Sequence, residues 1–572
     1  MVKGSDLIVE CLIEAGVKHV FGLTGTTILD ITDSLIKRQD EIKYVGARHE
    51  SAAAHMADGY ARATGKPGVC ISHVGPGAFH LLYGVAVASK ESSPLVAITG
   101  NESSPYLGRD IYHELDILSL SRPITKWNAQ ARGIEEIPRL LRHAFTAATT
   151  GKPGPVHLDI PKDVSRQAKE LSPDFEGSLM GSPEGGFAVP AIRGRAEQRS
   201  LSRCADLIRT SRRPVIHVGS GLMWSGASPE LARVAETVDV PVITTDSGRG
   251  SLAEDHPNFI GVVGRAVGDE SALERLKAAD LVLAIGLTFS DVSTLEWTAI
   301  GRDARIVQVD IEPREVGRQY PVTLGIVADA KLFLDDLVSI LKSEPGEVSE
   351  ERKRWRAEAR AAFEAGREAF FNAEVGRGGG VPPHKIIGDI AEVISRDAFF
   401  SVGIGVHSFW GKKVPVYNPK SYIRSGGLGA MGFAYPAMLG AKVAHPERQA
   451  IAFVGDGDFM MSVSEVETAV RNGLGVVAII FNNFAYGSQK LHQRRTFGGR
   501  FIGTDHANPD FANMARLFGA EGARVEKPGD FKPALKEMLA KGRPGIIDVL
   551  VDPLASPASW AMGSGGLSSK ER

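Results

Sequence analysis

Apolar and polar residues are distributed along this chain in blocks. Short uninterrupted apolar runs recur, bounded by glycine, proline or polar turns, and between them lie stretches in which apolar residues return every three or four positions. A run of four to eight apolar residues suits a strand buried on both faces, and the three-to-four spacing marks an amphipathic helix. In the first block, residues 1–170, the runs Val17–Gly22, Val69–Ser72, Leu95–Thr99 and Val156–Ile160 alternate with helical patterns over Ser5–Ala15, Ala52–Ala63 and Glu136–Thr149. The second block, 195–343, has runs at Pro214–Val218, Val240–Thr244, Leu281–Ile285 and Ile306–Asp310, and the third, 384–553, at Ala450–Val454, Val476–Phe481 and Gly545–Val551. Alternation of strands and helices predicts an α/β fold with three doubly wound parallel-sheet domains. The stretch Ser172–Val189, rich in glycine, serine and proline, reads as the first linker. The charged helical segment Val348–Phe371 and the glycine-rich Gly376–Pro383 read as the second, and the small, polar residues 554–572 as a flexible tail.

At 572 residues the chain has room for three or four domains of roughly 100–200 residues each. A net charge of −2 with no long basic run speaks against nucleic acid and anionic membrane as partners. Cys11, Cys70 and Cys204 form neither a metal-ligand spacing nor a disulfide framework, and free thiols fit a reducing cytoplasm. The first residues lack the segments of a secretory signal, and no apolar run reaches the roughly 18 residues of a membrane span.

The most chemically specific stretch is Gly455-Asp456-Gly457-Asp458, followed by a helix-like run, the apolar run Val476–Phe481 and Asn482-Asn483. An acidic turn, a helix and a strand ending on an amide can hold a hard cation against a diphosphate. Mg²⁺ takes about six oxygen ligands in near-octahedral geometry. Asp456 and Asn483 offer two side-chain oxygens, and the carbonyl of Ala485 a third. Gly455 and Gly457 permit close backbone approach to a phosphate, and the helix beginning there turns its N-terminus toward the negative charge; Asp458 is counted with them among the cofactor-binding candidates. Gly219-Ser220-Gly221 also follows a strand, but no third glycine completes a dinucleotide fingerprint, so the middle block reads as a structural Rossmann-like domain.

The Gly-Asp-Gly and Asn-Asn pair resembles the thiamin diphosphate (ThDP) motif. Together with Arg48-His49-Glu50-Ser51-Ala52, Gly75-Pro76-Gly77, Arg122-Pro123-Ile124-Thr125-Lys126-Trp127, Pro153-Gly154-Pro155-Val156 and Ser425-Gly426-Gly427-Leu428-Gly429-Ala430-Met431-Gly432-Phe433, it makes the whole chain similar to the acetolactate synthase branch of the ThDP-dependent decarboxylases and carboligases. The resemblance implies a pyrimidine-binding domain at 1–170, a Rossmann-like middle domain at 195–343 and a diphosphate- and metal-binding domain at 384–553. It implies that Glu50 faces N1′ of the aminopyrimidine and promotes formation of a C2 ylid, which attacks a 2-oxo acid and leads to an enamine. Met431 matches the residue that wedges the cofactor into a V, and the Gly429 carbonyl would accept its 4′-amino group. Gly405-Val406-His407 matches the diphosphate contact, with valine where the synthases carry glutamine. Glu50 and Asp456 would come from different subunits, so a homodimer or homotetramer with interfacial active sites is expected, acting on 2-oxo acid and aldehyde substrates.

The predicted pocket departs from that branch. Ser488 and His492 stand where methionine and tryptophan are usual, Thr24-Gly25-Thr26-Thr27 replaces Pro-Gly-Gly-Ala, and Tyr112-His113-Glu114 replaces Phe-Gln-Glu. His73 precedes Gly75-Pro76-Gly77, near the proton-transfer histidine of benzoylformate decarboxylases. Thr26, Thr27, Ser488 and His492 are therefore expected to line a pocket for a substrate more polar or bulkier than pyruvate. His73 and His113, titrating near neutrality, would move its protons. Leu287-Thr288-Phe289-Ser290-Asp291 lacks both arginines of the synthases' flavin loop, which speaks against FAD. Carboligation is the reading the resemblance favours; 2-oxo acid decarboxylation and 2-hydroxyacyl-CoA lysis are the alternatives. A non-catalytic ThDP-binding scaffold would be marked by loss of Glu50, Asp456 or Asn483, and all three are present.

Overall fold

The computed structural model describes residues 1–170, 192–265, 268–344, 346–372 and 379–555. The Ser172–Val189 linker, residues 376–378 and residues 556–572 lie outside them. Three six-stranded sheets are present, and every strand pair within them is parallel. Numbering only their strands, the first sheet contains β1 (His19–Gly22), β2 (Lys43–Gly46), β3 (Gly68–Ser72), β4 (Leu95–Asn101), β5 (Trp127–Gln130) and β6 (Val156–Pro161), in the order 2-1-3-4-6-5. The second contains β7 (Pro214–Val218), β8 (Val242–Thr244), β9 (Phe259–Val262), β10 (Leu281–Ile285), β11 (Arg305–Asp310) and β12 (Leu324–Val327), in the order 9-8-7-10-11-12. The third contains β13 (Phe399–Val402), β14 (Tyr422–Ile423), β15 (Ala450–Gly455), β16 (Val476–Asn482), β17 (Glu521–Val525) and β18 (Gly545–Leu550), in the order 14-13-15-16-18-17. The first and third domains thus share one winding, and the middle domain has the Rossmann order.

The central strands are largely apolar because helices cover both faces: all residues of β3, β4, β15 and β16 are buried. In such sheets ligands bind beyond the carboxyl ends of the strands, where the order reverses. That point lies between β1 and β3 in the first domain and between β13 and β15 in the third.

The first and third domains share a core through two helices, Glu50–Thr64 and Ala434–Ala444. Small side chains let their backbones touch. A β-carbon added at Gly59 would lie 2.0 Å from the Ala437 carbonyl oxygen, and one at Gly440 would lie 1.8 Å from that of Met56. Gly59→Ala is expected to cost at least ~1–3 kcal/mol by overpacking and to lower the melting temperature by roughly 2–10 °C. Gly366→Ala, in the Glu350–Phe371 helix with nothing within 4 Å of the added carbon, should instead stabilise by about 0.5–1 kcal/mol. Thermal scans of the two variants check the pair. Among the described residues no helix is long and apolar enough to cross a membrane.

Candidate active site

At the reversal point of the third sheet, β15 ends on Gly455 and the Asp456–Met460 helix begins at once. Asp456 is buried, its Oδ1 accepting from the Gly457 amide at 2.9 Å and its Oδ2 from the Ala485 amide at 3.2 Å. The neighbouring strand β16 delivers Asn482 and Asn483, and Phe484 then takes a left-handed backbone (φ 55°) that turns Ala485 back toward Asp456. One terminal atom of the Asn483 amide lies 3.3 Å from Asp456 Oδ1 and 2.9 Å from the Ala485 carbonyl oxygen. With nitrogen there, Asn483 donates to both. With oxygen there, three oxygens converge at separations close to the ~2.9 Å between adjacent ligands of an octahedral Mg²⁺ with 2.0–2.1 Å bonds. Burial pushes the Asp456 carboxyl above its ordinary range, a cost that a bound cation would relieve.

Next to this triad, β13 leads into Gly403–Gly405 and the His407–Gly411 helix, with Val406 buried against it. His407 and Asp458 are both buried, 3.8 Å apart from Nε2 to Oδ2, and neither of those two atoms has a hydrogen-bond partner. Desolvation moves the imidazole down to about 3 and the carboxyl up to about 7, so both favour their neutral forms. The other Asp458 oxygen accepts from the Gly432 amide at 2.6 Å, which ties the Gly429–Gly432 turn, and Met431 within it, to the same cluster. Gly429 and Gly432 supply the left-handed backbone of that turn.

A second cluster sits at the reversal point of the first sheet. Glu50 opens its helix and is followed across the domain by the Pro76–Lys90 helix, and the two helix N-termini are neighbours. Glu50 Oε2 lies 3.3 Å from His80 Nδ1. Thr27, from the loop after β1, is buried and its Oγ1 lies 2.9 Å from His73 Nδ1, after β3. His73 Nε2 in turn lies 3.1 Å from His113 Nδ1. His113 has a left-handed backbone (φ 69°), with the exposed Tyr112 ring 3.7 Å from its own. His73 is held below its ordinary range by desolvation and by His113. Glu50, His73, His113 and Thr27 therefore gather at one point, while Thr26 is exposed beside it. Ser488, half-buried, and the exposed His492 share one face of the Gly487–Thr496 helix, which begins two residues after Ala485. Within one chain the two clusters are linked through Tyr83, whose hydroxyl donates to the Met431 carbonyl at 3.1 Å.

Family comparison matches these parts in order. Residues 2–120 match the N-terminal TPP binding domain of thiamine pyrophosphate enzymes, 201–337 their central domain and 403–549 their C-terminal TPP binding domain. A probable acetolactate synthase large subunit of Methanocaldococcus jannaschii is 35% identical over 96% of this chain and 92% of its own length. The acetolactate synthase of Mycobacterium bovis is 33% identical over 100% and 91%, and the large subunit of Corynebacterium glutamicum 34% over 100% and 90%. The chain belongs to the thiamine pyrophosphate enzyme family. It is a ThDP-dependent enzyme, a carboligase or decarboxylase.

Around the site of this ThDP enzyme stand residues that the sequence pattern did not single out. Asn508 donates to Asp456 Oδ2 at 2.7 Å and to Asn482 Oδ1 at 3.0 Å. It reaches them because the chain folds back over the Asp456 turn, Ala485 bridging Asp505. Glu465, also buried, accepts the Arg48 amide at 3.1 and 3.2 Å, and so anchors the turn before Glu50 to the third domain. Neither residue lies in a recognisable motif; only the folded path places them. In the middle domain, Ser220, Gly221, Thr288 and Asp310 line a crevice of about 90 Å³ at the β7/β10 reversal point. Burial raises the Asp310 carboxyl there to about 6.

Proposed function

We propose that this enzyme is a Mg²⁺-dependent carboligase of the acetolactate synthase kind, joining a 2-oxo acid donor, with loss of CO₂, to an aldehyde or ketone acceptor. The observation that carries this reading is the convergence of Asp456, Asn483 and the Ala485 carbonyl at a sheet reversal point, in a chain whose full length matches acetolactate synthases. These three would hold Mg²⁺, and Asn508 would keep Asp456 oriented toward it. His407, whose buried Nε2 has no partner, would donate to a diphosphate oxygen, and Asp458 would hold the Gly429–Gly432 turn beside it through the Gly432 amide. ThDP supplies, when bound, a nucleophilic carbon that adds to the donor carbonyl and accepts the electron pair released on loss of CO₂. Glu50 would hold the proton that the aminopyrimidine exchanges, and Met431 would shape the bend between the rings. We place Glu50 of one protomer against the cofactor held by another, in a homodimer or a tetramer built from it. Operation without FAD is part of this reading, because Leu287–Asp291 lacks both arginines of the synthases' flavin loop, and the visible spectrum of the purified protein checks it.

Mass spectrometry of products from mixed 2-oxo acids and aldehydes tests the reaction. Ligated hydroxyketones, or 2-hydroxy-3-oxo acids where the acceptor is a second 2-oxo acid, are expected; the plain aldehyde alone would replace carboligation by decarboxylation. One observation favours that second reading, the hydrogen-bonded Thr27–His73–His113 chain, which can hand a proton to a carbanion or an alkoxide. His73→Ala and His113→Ala are expected to lower turnover by about 10²-fold or more, or to change the product ratio. Unchanged turnover and products in both would remove these histidines from the chemistry.

A further inference from the structure

His80 lies outside every motif named above, yet it is the side chain that touches the Glu50 carboxyl. Its Nδ1 is 3.3 Å from Glu50 Oε2. The other oxygen, Oε1, lies over bare backbone: a β-carbon added at Gly77 would come within 3.1 Å of it. Gly77 and His80 are three residues apart on the Pro76–Lys90 helix and so share a face, one giving room and the other a nitrogen. The His80 ring is itself held. His49 stacks on it with centroids 4.6 Å apart and planes at 31°, and His49 Nδ1 is 2.8 Å from the Ser51 hydroxyl. The Glu50 side chain is 12% exposed and that of His80 is 49% exposed, so the imidazole stands between the carboxyl and solvent.

We propose that His80 is a positioning residue for Glu50: it fixes one carboxylate oxygen, leaves Oε1 free for the reacting group, and passes protons between the carboxyl and water. The inference rests on the ThDP reading only for what Oε1 does; the His80–Glu50 contact stands apart from it. The ionisable groups around Glu50 are His49 on its own helix, His80 on the Pro76–Lys90 helix, His73 on the loop before it and Tyr44 on β2. Of these, His80 combines hydrogen-bond contact with open access to water.

Two measurements decide it. In cofactor-free full-length protein labelled at histidine Cε1, the NMR signal absent from His80→Asn identifies His80. That signal should move in Glu50→Gln, because the carboxyl 3.3 Å from His80 Nδ1 becomes an amide. In the protein with ThDP and Mg²⁺, His80→Ala should slow deuterium exchange at the cofactor's C2 by about 10-fold or more, with cofactor affinity unchanged and partial rescue by His80→Asn. An unmoved His80 signal in Glu50→Gln, or wild-type exchange in His80→Ala, overturns the proposal. If wild type binds no ThDP while the His80 signal moves as expected, the cofactor reading fails and the His80–Glu50 pair stands.

Discussion

Glu50→Gln is expected to lower turnover by about 10²–10⁴-fold, the usual contribution of a positioned acid–base group, while the protein stays folded. Glutamine keeps the size and one hydrogen-bonding oxygen of glutamate, so the contact with the Pro76–Lys90 helix can persist. What it removes is the exchangeable carboxyl proton. The carboxylate's favourable place at a helix N-terminus contributes only about 0.3–1 kcal/mol, too little to unfold the domain. CO₂ release from a panel of 2-oxo acids, compared at matched ThDP occupancy, measures the loss. Turnover within a factor of two of wild type would show that this carboxyl is not the proton carrier.

Asp456→Asn should be as damaging by a different route. The carboxylate lies at the centre of a network: it accepts from Gly457, Ala485 and Asn508 and faces Asn483. An amide can replace only part of this, because its nitrogen would meet donors at 2.7 to 3.2 Å, and it brings no charge to a divalent cation. The Mg²⁺ concentration giving half-maximal activity should rise by about 100-fold or more, the upper end of what removing a ligand's supporting hydrogen bond costs. Asn508→Ala, which removes such support alone, should raise it by about 10–100-fold. Mixing Glu50→Gln with Asp456→Asn protein under conditions of subunit exchange should restore activity, because hybrid dimers contain one intact site. Absence of any recovery would place both groups in the same protomer's site.

How much of this was legible in the sequence follows from strand position. In the first and second sheets the apolar runs coincide with β1, β3, β4 and β6 and with β7, β8, β10 and β11, and the strands left unread, β2, β5, β9 and β12, are the four edges. Some of these edges are broken by exposed positions: Lys43 in β2 and Gly325 and Val327 in β12 are exposed. β9 is apolar and buried throughout but only four residues long, as is β13, while β14 has two residues and β17 mixes Glu521 and Arg524 with apolar positions. The helix-like run after Asp458 is two short helices, Asp456–Met460 and Glu465–Arg471, because Ser462 and Ser464 break it and turn Glu465 toward Arg48.

For the site, residues contiguous with a sharp local signal were legible. Asp456, Asn483 and Ala485 lie together, and His73 meets His113 directly, with Thr27 on its other nitrogen. Asn508, Glu465 and His80 were not, since none of them belongs to a recognised motif and each meets its partner only in the folded chain. Tertiary folding alone supplies such contacts, and no periodicity or motif encodes them.

Calorimetric titration of ThDP into the purified protein, with and without Mg²⁺, tests the central claim most directly. The account predicts heat of binding at one site per chain only when Mg²⁺ is present, and none in Asp456→Asn at the same concentrations. Binding of equal affinity without a divalent cation, or no binding with it, would contradict the assignment of Asp456, Asn483 and Ala485 as the clamp of the cofactor's diphosphate.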